Sequence, residues 1–149
     1  MKPKHLKLLL NIYPPYLGAG IRVDHISDDF RDVWVSMKLR WYNRNYVGVH
    51  FGGSLASMTD PFYMLMLMNI LGKEYIVWDQ AARIEFIRPG RGRVAARFHL
   101  SQAQIDEIHA QTRRCAVFRP EYTVDVLNED GEVVAQVVKQ EYIRRKVRD

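Results

Sequence analysis

Gly52-Gly53-Ser54-Leu55-Ala56-Ser57-Met58-Thr59-Asp60-Pro61-Phe62-Tyr63-Met64-Leu65-Met66-Leu67-Met68-Asn69-Ile70-Leu71 is the most apolar stretch of the chain. Leu55, Met58, Phe62, Leu65 and Asn69 fall at helical spacing, and so do Ala56, Thr59, Tyr63, Met66 and Ile70. Two adjacent, mostly apolar stripes predict a long helix enclosed on most sides, and Gly72 offers a C-terminal stop. Its longest apolar run, Pro61–Ile70, is broken only at Asn69. That is about half of the roughly 20 residues needed to cross a bilayer, so the helix belongs inside a protein.

On both sides of this helix the pattern is mostly strand. Before it, Lys4–Ile12 reads as a short amphipathic helix stopped by Pro14-Pro15, and Ile21–Ile26 as a strand. Val33, Val35, Met37 and Leu39 alternate with polar or aromatic partners, and Trp41–Val49 reads as a loop. After it, Ala82, Ile84 and Phe86 alternate, then Arg88-Pro89-Gly90-Arg91-Gly92 places Pro and Gly as a type II turn requires. Val94, Ala96, Phe98 and Leu100 form another alternating run. Ser101 with Gln104 is a capping box opening a helix that closes near Arg113-Arg114. Tyr122, Val124 and Val126 lead to a hairpin at Asp130-Gly131. The return strand, Glu132–Ile143, is apolar on both faces over Val133–Val138, as expected of a strand buried on both sides or at a subunit contact. Arg144-Arg145-Lys146 and Arg148 read as a solvated tail. The expected fold class is α+β, a curved antiparallel sheet wrapped around one long central helix.

The chain has 149 residues, suiting one domain over 1–149, and 48% of them are apolar, which excludes wholesale disorder. One cysteine, Cys115, excludes an intrachain disulfide and reads as a small buried apolar residue. Leu8–Ile12 is too short for a secretory apolar core, so a cytoplasmic location is expected. The net charge of +5 suits polyanions in general. No aromatic RNA-binding motif or helix-turn-helix signature accompanies it, so no nucleic-acid partner and no membrane insertion are expected. His5, His25, His50, His99 and His109 show no metal-ligand spacing. No Gly-x-Ser-x-Gly elbow provides a serine nucleophile.

Chemistry concentrates in Asn45-Tyr46-Val47-Gly48-Val49-His50-Phe51-Gly52-Gly53-Ser54 and in Asp60. A Gly-Gly at a helix start leaves free N–H groups that could bind a carbonyl oxygen or an anion, or it only supplies flexible dihedrals. A carboxylate among Met58, Phe62 and Met64 is costly unless paired or functional, and burial would raise its pKa toward the range of a base. Asp60-Pro61 is equally a helix-start signature, with Asp as N-cap and Pro at the first position. The residues alone leave both alternatives open.

The layout, with Asn45-x-x-Gly48-x-x-Phe51-Gly52-Gly53 followed by Thr59-Asp60, resembles the hotdog-fold acyl-CoA thioesterases, in particular the phenylacetyl-CoA thioesterase-like group. That family's motif reads Asn-x-x-Gly-x-x-His-Gly-Gly, then seven residues to an Asp; here Gly53 to Asp60 is also seven. Through Asn45–Met66 and Asp79–Gly90 the chain is similar to a poorly characterised bacterial branch. The resemblance implies that Asp60 acts as general base on water or as nucleophile at a thioester. It also implies that the Gly52 N–H holds the oxyanion and that Asn45 positions water or substrate, across a homodimer interface. A homodimer is expected, with dimer and tetramer left open as the final assembly. Gly53, Phe51, His50, Asp79, Arg88, Arg91 and Arg93 are the residues expected around the substrate, the arginines on the phosphates of coenzyme A or else on a solvated strand face. Coenzyme A enters as part of the substrate, and no other cofactor is implied. Two positions depart from the family. Phe51 stands where the motif has His, with His50 one place earlier. Asp79 falls where a Ser or Thr helps hold water, and a second carboxylate there would raise the pKa of Asp60 by repulsion. With Phe51 in place of His, a non-catalytic acyl-CoA or lipid-binding hotdog protein is the alternative.

Overall fold

The computed structural model describes residues 1–147. Its elements run α1 (Pro3–Ile12), α2 (Pro14–Ala19), β1 (Ile21–Ile26), β2 (Asp32–Lys38), α3 (Gly52–Ser57), α4 (Phe62–Leu71), β3 (Tyr75–Phe86), β4 (Arg93–His99), α5 (Gln102–Arg114), β5 (Glu121–Leu127) and β6 (Val133–Arg145). All six strands join one antiparallel sheet in the order β1-β2-β4-β5-β6-β3. α3 and α4 supply the apolar filling of its concave face. Phe62, Tyr63, Met66 and Leu67 are buried there against Val35, Met37, Phe98, Val124 and Val137. This is the hotdog arrangement.

The central helix is broken rather than bent. Pro61 has no N–H to donate and forces Asp60 out of the helical region, so the ladder cannot cross 58–61. The chain tightens instead: Thr59 N donates to Ala56 O at 3.1 Å and Asp60 N to Ser57 O at 3.3 Å. Helical spacing resumes where Leu65 N donates to Pro61 O at 2.9 Å. Tyr16, carried in by α2, donates its hydroxyl to Ser57 O at 3.2 Å, satisfying a carbonyl at the end of α3. Aromatic rings then run through the core: Tyr16 to Phe62 at 6.2 Å, Phe62 to Phe98 at 4.9 Å, Phe98 to Tyr63 at 5.2 Å and Tyr63 to Tyr122 at 5.0 Å between centroids.

Several local expectations change. Pro14-Pro15 ends α1 but also opens α2, because a missing N–H costs nothing in a first turn. In the 88–92 turn the left-handed residue is Gly92 (φ 62°), not Gly90. Gly90 is instead a close approach, where a Cβ would lie 3.1 Å from Val134 and 3.2 Å from His50. Cys115 is exposed just past α5, whose capping box at Ser101 and Gln104 is present as expected. β3 begins at Tyr75, well before the alternation at Ala82. β6 lies between β5 and β3, so both its edges are paired; Ala135 and Val137 are buried on its inward face, and Val138 on the other face is half-buried. Arg144 and Arg145 belong to β6, and Arg145 pairs with Glu74 at 3.5 Å. Arg148 lies outside the described residues.

Leu67, fully buried in α4, is expected to cost about 2–5 kcal/mol when truncated to Ala. Ser101→Ala, which removes only the cap, is expected to cost about 1 kcal/mol. Urea denaturation of the two variants beside wild type checks both values.

Candidate active site

Two groups of sequence-predicted residues occupy different places on the chain. The first is the glycine pair. Asn45 builds the loop before it: Asn45 N donates to Val49 O at 2.8 Å, and its Oδ1 accepts from the N–H groups of Val47 and Val49, each at 3.1 Å. Gly48, left-handed at φ 82°, closes the turn by donating to Asn45 O at 3.0 Å. The side-chain oxygen is therefore committed to the loop, and the Nδ2 amide remains. His50 turns inward and is buried. Its Nε2 lies 2.8 Å from Gly92 O, so that nitrogen carries the proton, and its Nδ1 has no partner. Burial lowers its pKa, partly offset by that carbonyl. His50 thus ties the loop to the 88–92 turn from inside.

Rings crowd both glycines. A Cβ on Gly52 would lie 3.0 Å from Phe86 Cζ, and one on Gly53 only 2.6 Å from Phe51 Cε1. Only glycine admits rings this close to the backbone. No carbonyl of the described residues accepts from the Gly52 or Gly53 N–H. Asn45 and Gly52 together line two clefts. One, of about 850 Å³, runs past Tyr42, Tyr46 and Phe51. The other, of about 360 Å³, runs past His50, Phe86 and Arg88. Of the three turn arginines, Arg88 lines the second cleft while paired to Glu132. Arg91 is exposed and unpaired among the described residues. Arg93 turns to Ser36 Oγ at 2.8 Å and Asp24 at 3.3 Å, away from the glycines.

The second group surrounds the helix break. Asp60 is not a cap, since α4 has no side-chain cap bond. It is not buried in the chain either, its side chain being 67% exposed. Proline breaks the helix at that point, and the turn carries Asp60 to the surface. Its Oδ1 lies 3.2 Å from Lys139 Nζ, and Asp79 Oδ1 lies 2.8 Å from the same ammonium. The repulsion expected between Asp60 and Asp79 is therefore bridged by a cation. The Lys139 side chain is only 2% exposed. Burial pulls its pKa down, but the Asp79 and Asp60 carboxylates outweigh burial and the net shift is upward.

A β-bulge arranges these groups. Through Asp79↔Glu141 the strands β3 and β6 pair in one register, and from Ala81↔Gln140 in another, leaving Gln80 as the extra residue. The bulge puts Tyr75, Val77 and Asp79 in one phase and Ala82, Ile84 and Phe86 in the other on the sheet face that carries Lys139 and Glu141, with Phe86 left exposed. Glu141, opposite Asp79, is fully buried, and neither carboxyl oxygen is hydrogen-bonded in good geometry. Asp79 is the polar group that faces it. Burial, then the charge of Asp79, pushes the Glu141 pKa up to about 9. Burial, then Asp60, likewise pushes the Tyr16 phenol upward.

The pattern did not single out Lys139, Glu141 or Tyr16. The signal was present for the first two, since Val137, Lys139, Glu141 and Ile143 share the inward phase of β6. Neither glycine cleft is lined by Asp60, Asp79 or Lys139. Among the described residues no three His, Cys, Asp or Glu side chains are grouped as metal ligands.

Residues 4–143 match the family described as "Domain of unknown function (DUF4442)". The chain belongs to that family. No curated protein matches this DUF4442 chain in sequence. Solved structures share its fold. A protein of unknown function from Pseudomonas aeruginosa, described as a probable thioesterase, has 18% identity and TM-score 0.82 over 97% of each chain. A thioesterase from Haemophilus influenzae has 14% identity and TM-score 0.70 over 99% of this chain and 94% of its own. A mutant of the phenylacetic acid degradation protein PaaI from Thermus thermophilus has 24% identity and TM-score 0.59, over 88% of this chain and 98% of its own. The chain is a hotdog-fold protein with thioesterases among its structural neighbours.

Glu141 gives the fold a pH dependence of defined sign. Its folded pKa lies above its unfolded value of 4.5, so the folded state binds the extra proton between 4.5 and about 9. Its contribution to stability is complete below 4.5 and is lost as pH rises to about 9. Glu141→Gln, which keeps a donor facing Asp79 without an ionisable proton, is expected to flatten that decline. Urea midpoints from pH 5 to pH 9 for both proteins measure the difference in slope.

Proposed function

We propose that this DUF4442 protein is an acyl-CoA thioesterase whose active site forms between two copies of the chain. The observation that carries this reading is the separation of two incomplete halves. Gly52, with an unclaimed N–H, and Asn45, with an unclaimed amide, stand on one. Asp60, held by Lys139, stands on the other. Strand β3 lies at the end of the sheet with one edge unpaired, and Trp78, Phe86 and Met68 are exposed around it. A long open edge with apolar flanks is a pairing surface. Joining two copies there gives each Asp60 a route to the partner subunit's glycine loop.

In this reading the Asp60 carboxylate takes a proton from water as the water oxygen attacks the thioester carbonyl carbon. The carbonyl oxygen becomes an oxyanion held by the Gly52 N–H. When the carbon–sulfur bond breaks, the thiolate takes up the proton, giving a carboxylic acid and free coenzyme A. Asp60 can equally attack the carbonyl carbon itself, expelling the coenzyme A thiolate; water then cleaves the mixed anhydride, which frees the carboxylic acid, restores the Asp60 carboxylate and supplies the proton the thiolate takes up. The Asn45 amide orients water or thioester. Arg88 and Arg91, at the turn beside Gly52, suit the phosphates of coenzyme A. Arg93 is engaged elsewhere.

One observation favours a second reading. Phe51 offers no hydrogen bond where the motif has His, and its ring rests on Gly53. A chain that binds acyl-CoA without cleaving it would tolerate that.

A panel of acyl-CoA thioesters, assayed by release of free thiol, separates the two. Hydrolysis that falls about 10²–10⁴-fold in Asp60→Ala is the expected result. Tight binding with no thiol release from either protein supports the binder. Sedimentation at micromolar concentration is expected to give at least twice the 17.5 kDa chain mass. A 17.5 kDa species alone would remove the shared site.

A further inference from the structure

We propose that Lys139 is a positioning residue: it fixes the Asp60 carboxylate at the helix break, and is itself anchored by Asp79, which stands opposite the buried Glu141 across the strand pair. This rests on the thioesterase reading above. Lysine is almost never fully buried unless paired. Here the side chain threads the inward face of β6, and its ammonium ends on Asp60 and Asp79. Asp60, for its part, sits on a non-helical turn with most of its surface free. Among the described residues Lys139 is the one hydrogen-bond partner of its carboxylate. An unanchored, exposed carboxylate samples several rotamers. With Lys139 in place, one oxygen is tied down while the side chain stays 67% exposed, open to a second copy.

The charge count favours a protonated Glu141. Three ionised carboxylates against one ammonium would leave two uncompensated negative charges around a fully buried Glu141. Opposed carboxyls in low dielectric do not both ionise. The groups facing Glu141 are Asp79 from β3, Lys139 from its own strand, Asp60 from the helix break, Tyr63 from α4 and Tyr122 from β5. Only Lys139 among them is cationic. Burial and Asp79 both keep the Glu141 proton on, which leaves Asp79 as the anion that anchors the ammonium. The bulge at Gln80 is what turns Asp79 inward to meet both.

The test separates anchoring from neutralisation. Lys139→Met alone strands the half-buried Asp79 charge, so the decisive protein is the full chain carrying Asp79→Asn with Lys139→Met, in which that charge is gone as well. The substrate is whichever acyl-CoA wild type cleaves fastest. The double variant is expected to unfold cooperatively, with kcat lowered about 100-fold, the scale of a misplaced catalytic group, and KM within about threefold. A double variant with wild-type kcat would show that Lys139 only neutralises Asp79, and the proposal would fall while Asp60→Ala still abolished hydrolysis. A wild type that cleaves no acyl-CoA overturns the thioesterase reading first, and this proposal with it. A second measurement needs no variant to fold. The Glu141 side-chain ¹³C resonance of wild type is expected to titrate far above the ordinary carboxylate range. Titration within that range would overturn the neutral Glu141 that leaves the Lys139 ammonium to Asp79 and Asp60.

Discussion

The ammonium of Lys139, sealed in the sheet's interior with two carboxylates for company, is the constraint around which this end of the molecule is built. A buried cation must be paired, and breaking such a pair typically costs about 3–5 kcal/mol. Its partners come from different parts of the chain. Asp60 arrives from the interrupted helix and Asp79 from the edge strand, where it stands opposite the buried Glu141. Holding these groups together links the helix break, the bulge and the inner strand into one unit. Such an arrangement is weak as a device for stability and strong as a device for placing a charge.

The break in the central helix complements it. An unbroken helix over 52–71 would keep every peptide bonded within itself and leave Asp60 on a packed flank. Pro61 removes that option, and the tightened turn exposes the carboxylate while its carbonyls find other donors, such as Tyr16. The short helix α2 therefore does more than cover the sheet, since it closes the polar accounting at the break. At the opposite end, Phe51 and Phe86 rest on glycines. There the absence of side chains, rather than a charged group, leaves N–H donors open.

Much of this was legible in the sequence. The two apolar stripes of 55–70, the alternating runs on either side and the Ser101–Gln104 capping box specify a sheet around a helix, because periodicity and capping are local properties. The spacing of Asn45, Gly52, Gly53 and Asp60 pointed to the same fold and to the residues of interest. What escaped had nonlocal causes. Nothing in Lys139-Gln140-Glu141 itself marks a buried cluster, and only the inward phase that Lys139 and Glu141 share with Val137 and Ile143 on β6 puts them inside. The stretch before Ala82 hid its strand because the bulge breaks strict alternation. Pro14-Pro15 reads as a stop, yet the same rings open the next helix. His50 looked available to a ligand, but its imidazole is spent inside, on the carbonyl of Gly92.

The extra residue at Gln80 has a consequence beyond its own strand. It works as a half-step in the stitching of the sheet's border: ahead of it odd-numbered side chains point in, and behind it even-numbered ones do. Phe86 can press on Gly52 and Asp79 can meet Lys139 in the same chain only because the two stretches are offset by one. Losing that single residue would swap inside for outside along whichever stretch re-paired, so that the glycine loop and the acidic cluster could no longer both be served by one border strand.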